Sequence, residues 1–195
     1  WYFLLFLPIL FNIVQRKYIR YYVISFLLAI ALTEIVSYLV WFEIVAPFKN
    51  ATVQNPTPFM SHVSYNPILA FAIYLIMHEI CFNKKLTNFI FALYGFFAFT
   101  MTINMFITGG RAGQVMFFAV LSLLIFQYFN SQKFKAIVVI FIVSSTIFLT
   151  AYQTSNIFIA RVNNAISDIQ DYESHKNTSL GQRISFALNS WEVIK

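Results

Sequence analysis

The sequence predicts an all-α fold, a polytopic transmembrane helical bundle of about six spans that leads into a loop carrying amphipathic helices. Three observations predict it. Of 195 residues, 59% are hydrophobic and only 10% are charged, against roughly 25% charged in an ordinary soluble domain. Most of the chain falls into uninterrupted apolar runs of the length that crosses a bilayer as a helix. The connections between runs are alternately basic and non-basic, the signature of alternating sidedness. A transmembrane barrel would need segments of about ten residues with alternating polarity, and these are absent.

The runs cover residues 1–14, 21–42, 66–82, 86–108, 112–129 and 136–152. The first, opening "WYFLLFLPILF", has neither the charged start nor the cleavage site of a signal peptide. It predicts a chain that starts inside a membrane helix of a longer protein. Three connections are basic: Arg16, Lys17 and Arg20; Lys84 and Lys85; Lys133 and Lys135. The positive-inside rule sets them in the cytoplasm, and puts the loop 43–65, the turn "TGGRAG" and everything after Tyr152 on the opposite side. The 43–65 loop holds three of the five prolines, so it is predicted to be irregular. Its apolar residues Val45, Phe48, Phe59 and Met60 predict packing on the bundle or the membrane surface.

Residues 1–152 therefore read as a membrane bundle and 153–195 as the start of a large extramembrane loop. In that loop Ile159, Val162, Ile166 and Ile169 recur at helical spacing, as do Leu180, Ile184, Leu188 and Trp191. Both sets predict amphipathic helices lying on a membrane or packing on the bundle. In "SLGQ", Ser179 and Gln182 fit a capping box, which sets Arg183 near the positive end of the second helix.

The net charge of +6 raises the possibility of nucleic acid. The cations sit in small clusters between apolar runs, with no basic face or aromatic-interleaved stripe, so they read as topology signals and no nucleic-acid partner is expected. The single cysteine, Cys81, reads as an apolar filler. None of the three histidines, His62, His78 and His175, has a second ligand at metal spacing, and no metal site is expected. No nucleophile elbow, Walker loop or dinucleotide fingerprint is present.

Arg111, in "FITGGRAGQVMFF", is the residue that points to chemistry. A cation on the non-cytoplasmic side breaks the positive-inside rule, and an arginine at a span is a functional hypothesis by default. Snorkelling to headgroups is the rival reading. Gly109, Gly110, Ala112 and Gly113 would let another backbone or a bulky ligand come close, and amides opening the next helix attract anions. These neighbours favour a phosphate or pyrophosphate site. If the helix ran on, Asn104 and Thr108 would share the face of Arg111, either lining the same pocket as Gly110 and Gly113 or joining helices. Arg183 is a second cation on that side. Glu34, the one acid well within a span, predicts a neutral carboxyl, a polar partner on a neighbouring helix or a cavity.

The "TGGRAG" turn opening a helix, the following hairpin, and the later segment "TSLGQRISFALNSWEVIK" together resemble the bacterial O-antigen ligase and polymerase superfamily. These are polytopic inner-membrane glycosyltransferases that use undecaprenyl-diphosphate-linked glycans. Position 110 is glycine where that family often has serine. The resemblance implies that Arg111 and Arg183 hold the donor pyrophosphate, and that an inverting transfer runs without a metal or other cofactor. It implies lipid A core as the acceptor of a ligase. A polymerase and a protein oligosaccharyltransferase share the signature, and a non-enzymatic transporter or flippase of lipid-linked glycans is the rival from another class. It also implies a histidine base later in the periplasmic loop. No histidine here matches it, His175 being on the wrong side of Arg183, so this stretch alone is expected to be inactive.

Overall fold

The computed structural model describes residues 15–49, 51–53, 55–170 and 179–194. The run at 1–14 and His175 lie outside the described residues. For Arg111 and Arg183 the description covers the backbone and stops short of the side chain.

Seven α-helices follow a short 3-10 turn at Arg16–Tyr18: α1 (Ile19–Trp41), α2 (His62–Phe82), α3 (Asn88–Ile107), α4 (Arg111–Tyr128), α5 (Lys133–Thr154), α6 (Asn156–Gln170) and α7 (Ser179–Ile194). No strand occurs among the described residues, where pairing is limited to an isolated bridge between Thr52 and Asn55. Four helical stretches, Arg16–Trp41, His62–Phe82, Asn88–Ile107 and Lys133–Thr154, are long and apolar enough to cross a membrane. The fifth, α4, has 18 residues, or about 27 Å against a hydrocarbon core of about 30 Å. The chain is a membrane-embedded α-helical bundle.

Lipid exposure explains the composition. Leu32 on α1 is 65% exposed and Phe141 on α5 is 73% exposed, because outward-facing apolar side chains meet acyl chains rather than water. Hydroxyls in the spans bond back into their own helix: Thr33 to Ala29 O, Thr102 to Ala98 O, Ser122 to Phe118 O and Thr146 to Ile142 O, each at 2.7–2.8 Å. No donor is then left facing lipid at these positions.

Helix α2 is the hub. It packs most extensively on α4 and next on α3, while α1 packs on α3 and α2, and α5 covers α4. Contacts at both ends give the directions. Asn66 meets Gly110 near the start of α4 and Phe82 meets Tyr128 at its end, so α2 and α4 are parallel. Ser37 and Asn104 join the ends of α1 and α3, which run the opposite way. One end of the bundle therefore carries the 16–20, 83–87 and 129–135 cation clusters. The other gathers the 43–61 loop, the 108–110 turn and α6.

The ends are made locally. Thr87 caps α3 by accepting from Ile90 N at 3.4 Å. At the end of α1, Glu43 adopts a left-handed φ of 58°, and Leu39 O accepts from Ile44 N at 2.9 Å and Val45 N at 3.1 Å. Ser155 starts α6 by accepting from Phe158 N at 3.2 Å while donating to Phe106 O at 2.9 Å. Phe158 then fills a nest of rings with Phe106 and Phe148, both centroids at 5.3 Å.

The apolar stripe of α6 is divided along its length. Phe158 is buried and Val162 packs on the core, whereas Ile166 and Ile169 are exposed. Helix α6 docks by its first turns only. Helix α7 packs chiefly on α6 and leaves Phe186, Leu188 and Trp191 exposed. Ser179 is itself a helical residue of α7 rather than its cap.

Candidate functional site

The site is built from Asn66 upward. This amide lies in the second turn of α2, fully buried, with Pro67 after it. Its Oδ1 accepts from the Thr108 hydroxyl at 2.6 Å. Its Nδ2 faces Met105 O at 3.3 Å, Gly110 O at 3.4 Å and Thr108 O at 3.5 Å. A helix ending in lipid leaves its last carbonyls without partners. Asn66 supplies the missing donor for α3, assisted by Gln114 Nε2 toward Met105 O at 3.5 Å and by Ser155 at Phe106 O.

The glycines act through space rather than through φ, since none of the described glycines has a positive φ. A Cβ on Gly110 would stand 2.6 Å from Asn66 Nδ2 and 2.6 Å from His62 O. On Gly113 it would overlap the Asn66 side chain and backbone and come within 2.7 Å of Pro67 N. Of the two kinds of close neighbour that the glycines allow, the one in place here is the backbone of α2. Overlap on this scale requires α4 to move.

The turn is tied from outside as well. Asn55 Oδ1, in the proline-rich loop, accepts from Gly109 N at 3.1 Å, and Pro56, Thr57 and Pro58 beside it are buried. Helix α4 starts immediately afterwards. Gly110 provides no side-chain cap, and no acid stands in the first turn. A helix end without a cap or an acid, led by an arginine, presents its positive pole to anions.

The structure therefore brings Gly110, Gly113 and Thr108 together around Asn66. Asn104, one turn below Thr108, turns to α1 instead and donates to Ser37 Oγ at 3.0 Å. Asn104 and Thr108 are both fully buried and both join helices. Arg111 is the first residue of α4 and Arg183 lies in the first turns of α7. Helix α7 is connected to this end through α6, which packs on α3 and α5.

Glu34 departs from the expected pairing. It is 2% exposed and neither carboxyl oxygen has a hydrogen-bond partner. Three residues missed in the sequence complete the site: Asn66, Asn55 and His62, whose carbonyl abuts Gly110. Asn66 was visible as an asparagine at the very edge of an apolar run, a polar group that must find a partner in lipid.

Comparison with protein-family models, curated proteins and solved structures gives no match for this chain. Its function is therefore argued from its own residues. An open groove of about 410 Å³, lined by Phe118, Ser144, Ser145, Phe148 and Leu149, lies between α4 and α5. Phe118 is seven residues from Arg111, about 10 Å along the helix.

Proposed function

We propose that this protein is a membrane glycosyltransferase of the O-antigen ligase type. It transfers a glycan from an undecaprenyl-diphosphate-linked donor to an acceptor, lipid A core in lipopolysaccharide synthesis, at the periplasmic face of the bacterial inner membrane. The observation that carries this reading is the start of α4: an uncapped helix N-terminus without an acid, led by Arg111, at the bundle end opposite the three lysine and arginine clusters.

In the proposed reaction the leaving group is a diphosphate, and negative charge gathers on it as the sugar–oxygen bond breaks. The Arg111 and Arg183 guanidiniums and the first amides of α4 stabilise that charge. Two fixed cations in a water-poor site serve where other transferases use a divalent ion. The open, largely apolar α4–α5 groove is where the isoprenoid tail of the donor would lie. The acceptor hydroxyl needs a base, for which the resemblance points to a histidine further along the periplasmic loop.

The test is glycan transfer in membranes carrying the full-length protein and a lipid-linked donor. Arg111→Ala and Arg183→Ala each lower transfer by about 10²–10³-fold while membrane insertion stays intact. Near-normal transfer by Arg111→Ala overturns the proposal. If the wild-type protein moves the lipid-linked glycan across the bilayer and transfers none of it, the protein is a transporter instead.

A further inference from the structure

Helix α1 carries its own measure of depth in the bilayer. Tyr18, Tyr21 and Tyr22 are exposed at one end and Trp41 at the other, where its ring packs on Tyr38 at 6.4 Å and on Phe42 at 4.7 Å. Tyr21 and Trp41 stand about 30 Å apart along the helix, the thickness of the hydrocarbon core. Tyrosine and tryptophan favour the two membrane–water interfaces, so Trp41 marks the interface at the end opposite the lysine and arginine clusters. The 43–61 loop follows directly, at headgroup level.

This loop has two faces. It is closed by Thr52 and Asn55, which exchange backbone hydrogen bonds at 3.1 Å. Inward, Ala51, Pro56, Thr57 and Pro58 are buried, and Asn55 accepts from Gly109 N at 3.1 Å. Outward, the loop and its flanks expose Phe42, Ile44, Val45, Phe59 and Val63. Lys49 belongs to that outer face. Its ammonium lies 5.5 Å from the centre of the Phe59 ring, which packs edge-on against Phe48 at 5.9 Å. No carboxylate pairs with Lys49 among the described residues, and its φ of 54° is a left-handed conformation that lysine rarely adopts.

The outer face continues a surface that already meets lipid. Leu28, Leu32, Ile35 and Phe42 are all exposed and recur at helical spacing along one side of α1, so the acyl-facing stripe runs without a break into the start of the loop. Water would leave this row of large apolar side chains wet beside the bilayer. Phospholipid supplies both chemistries the face presents, acyl chain for the rings and phosphate for the unpaired cation. We propose that the 43–61 loop is seated in the headgroup layer of the leaflet that Trp41 marks, with Phe42, Ile44 and Phe59 among the upper acyl chains and the Lys49 ammonium on phospholipid phosphate. One loop then joins the lipid surface, through Asn55, to the turn that starts α4.

The experiment uses the full-length protein in phosphatidylglycerol nanodiscs, with Cys81 replaced by serine and nitroxide labels placed singly at Ile44→Cys, Lys49→Cys, Phe59→Cys and, as the mid-bilayer reference, Phe141→Cys. Relaxation by oxygen, which concentrates in lipid, is compared with relaxation by a water-soluble nickel chelate. The oxygen-to-nickel ratio at positions 44 and 59 is expected to lie between that at 141 and that of a label free in water, with position 49 shallower than both. Free-water values at 44 and 59 overturn the proposal. Labels there that meet neither reagent overturn it too, in favour of a protein cover, and a label at 49 as deep as its neighbours overturns the phosphate contact. Should the labelled chains fail to insert, Phe59→Trp, in a background where Trp1, Trp41 and Trp191 are phenylalanine, keeps a ring beneath Lys49. Quenching of its fluorescence by lipids brominated close to the headgroup supports the seating, and fluorescence insensitive to bromine overturns it.

Discussion

The Thr108 hydroxyl donates to Asn66 Oδ1 at 2.6 Å, linking the end of α3 to the second turn of α2 in full burial. The same Asn66 amide serves the carbonyls at the end of α3, so losing it leaves several groups without a partner at once. Asn66→Ala is expected to destabilise the bundle by about 1–2 kcal/mol, the upper range for polar contacts between membrane helices. Thr108→Val removes one of the same bonds, so the double variant costs less than the sum of the singles. A double-mutant cycle on thermal or denaturant unfolding in nanodiscs measures this shortfall.

Gly113 and Gly95 make a matched pair. A methyl group on Gly113 meets the backbone of α2, whereas one on Gly95 meets nothing within 4 Å. Gly113→Ala therefore costs about 1–3 kcal/mol by overpacking the α2–α4 contact. Gly95→Ala gains up to about 1 kcal/mol from helix propensity. Opposite shifts in the unfolding midpoint check the pair.

Glu43 offers a stabilising change. Its φ of 58° is a conformation that costs an L-residue about 1 kcal/mol and a glycine almost nothing. Glu43→Gly at the end of α1 should raise unfolding stability by up to about 1 kcal/mol, read in the same assay.

The spans were legible because a bilayer reads length and hydropathy. The runs at 21–42, 66–82, 86–108, 112–129 and 136–152 match α1 to α5 to within a few residues. What hydropathy does not encode is which polar residue meets which. Asn104 and Thr108 stand one turn apart, but one bonds to Ser37 of α1 and the other to Asn66 of α2. Neither partner is close in sequence. Spacing alone could not tell that α6 docks by Phe158 and leaves Ile166 exposed, since rings of α3 and α5 receive only its first turns. Glu34 was legible as an anomaly, and its lack of a partner only from the assembled helices.

Ser155 should report the attachment of α6. Its hydroxyl donates to Phe106 O and accepts from Phe158 N, so one atom both anchors α6 and caps it. Ser155→Ala is expected to cost about 1 kcal/mol. The loss is local: amide hydrogen exchange accelerates along α6 while α1 keeps its protection. Uniform acceleration through the bundle would mean that Ser155 supports the whole fold.

Arg111→Lys separates charge from shape in the proposed diphosphate site. Lysine keeps one positive charge at the start of α4 but loses the planar fork that meets two phosphate oxygens at once. If charge at the helix pole is all that matters, transfer stays close to wild type and Arg111→Ala alone is inactive. If bidentate contact in the transition state matters, Arg111→Lys lowers kcat by about 10-fold or more and leaves KM for the donor little changed, because ground-state charge attraction survives. The second outcome is the expected one. Two hydrogen bonds hold the backbone before Arg111, from Asn66 Nδ2 to Gly110 O and from Gly109 N to Asn55 Oδ1, and such fixing serves a directional group more than a point charge. Kinetics of both variants at saturating and limiting donor distinguish the two cases.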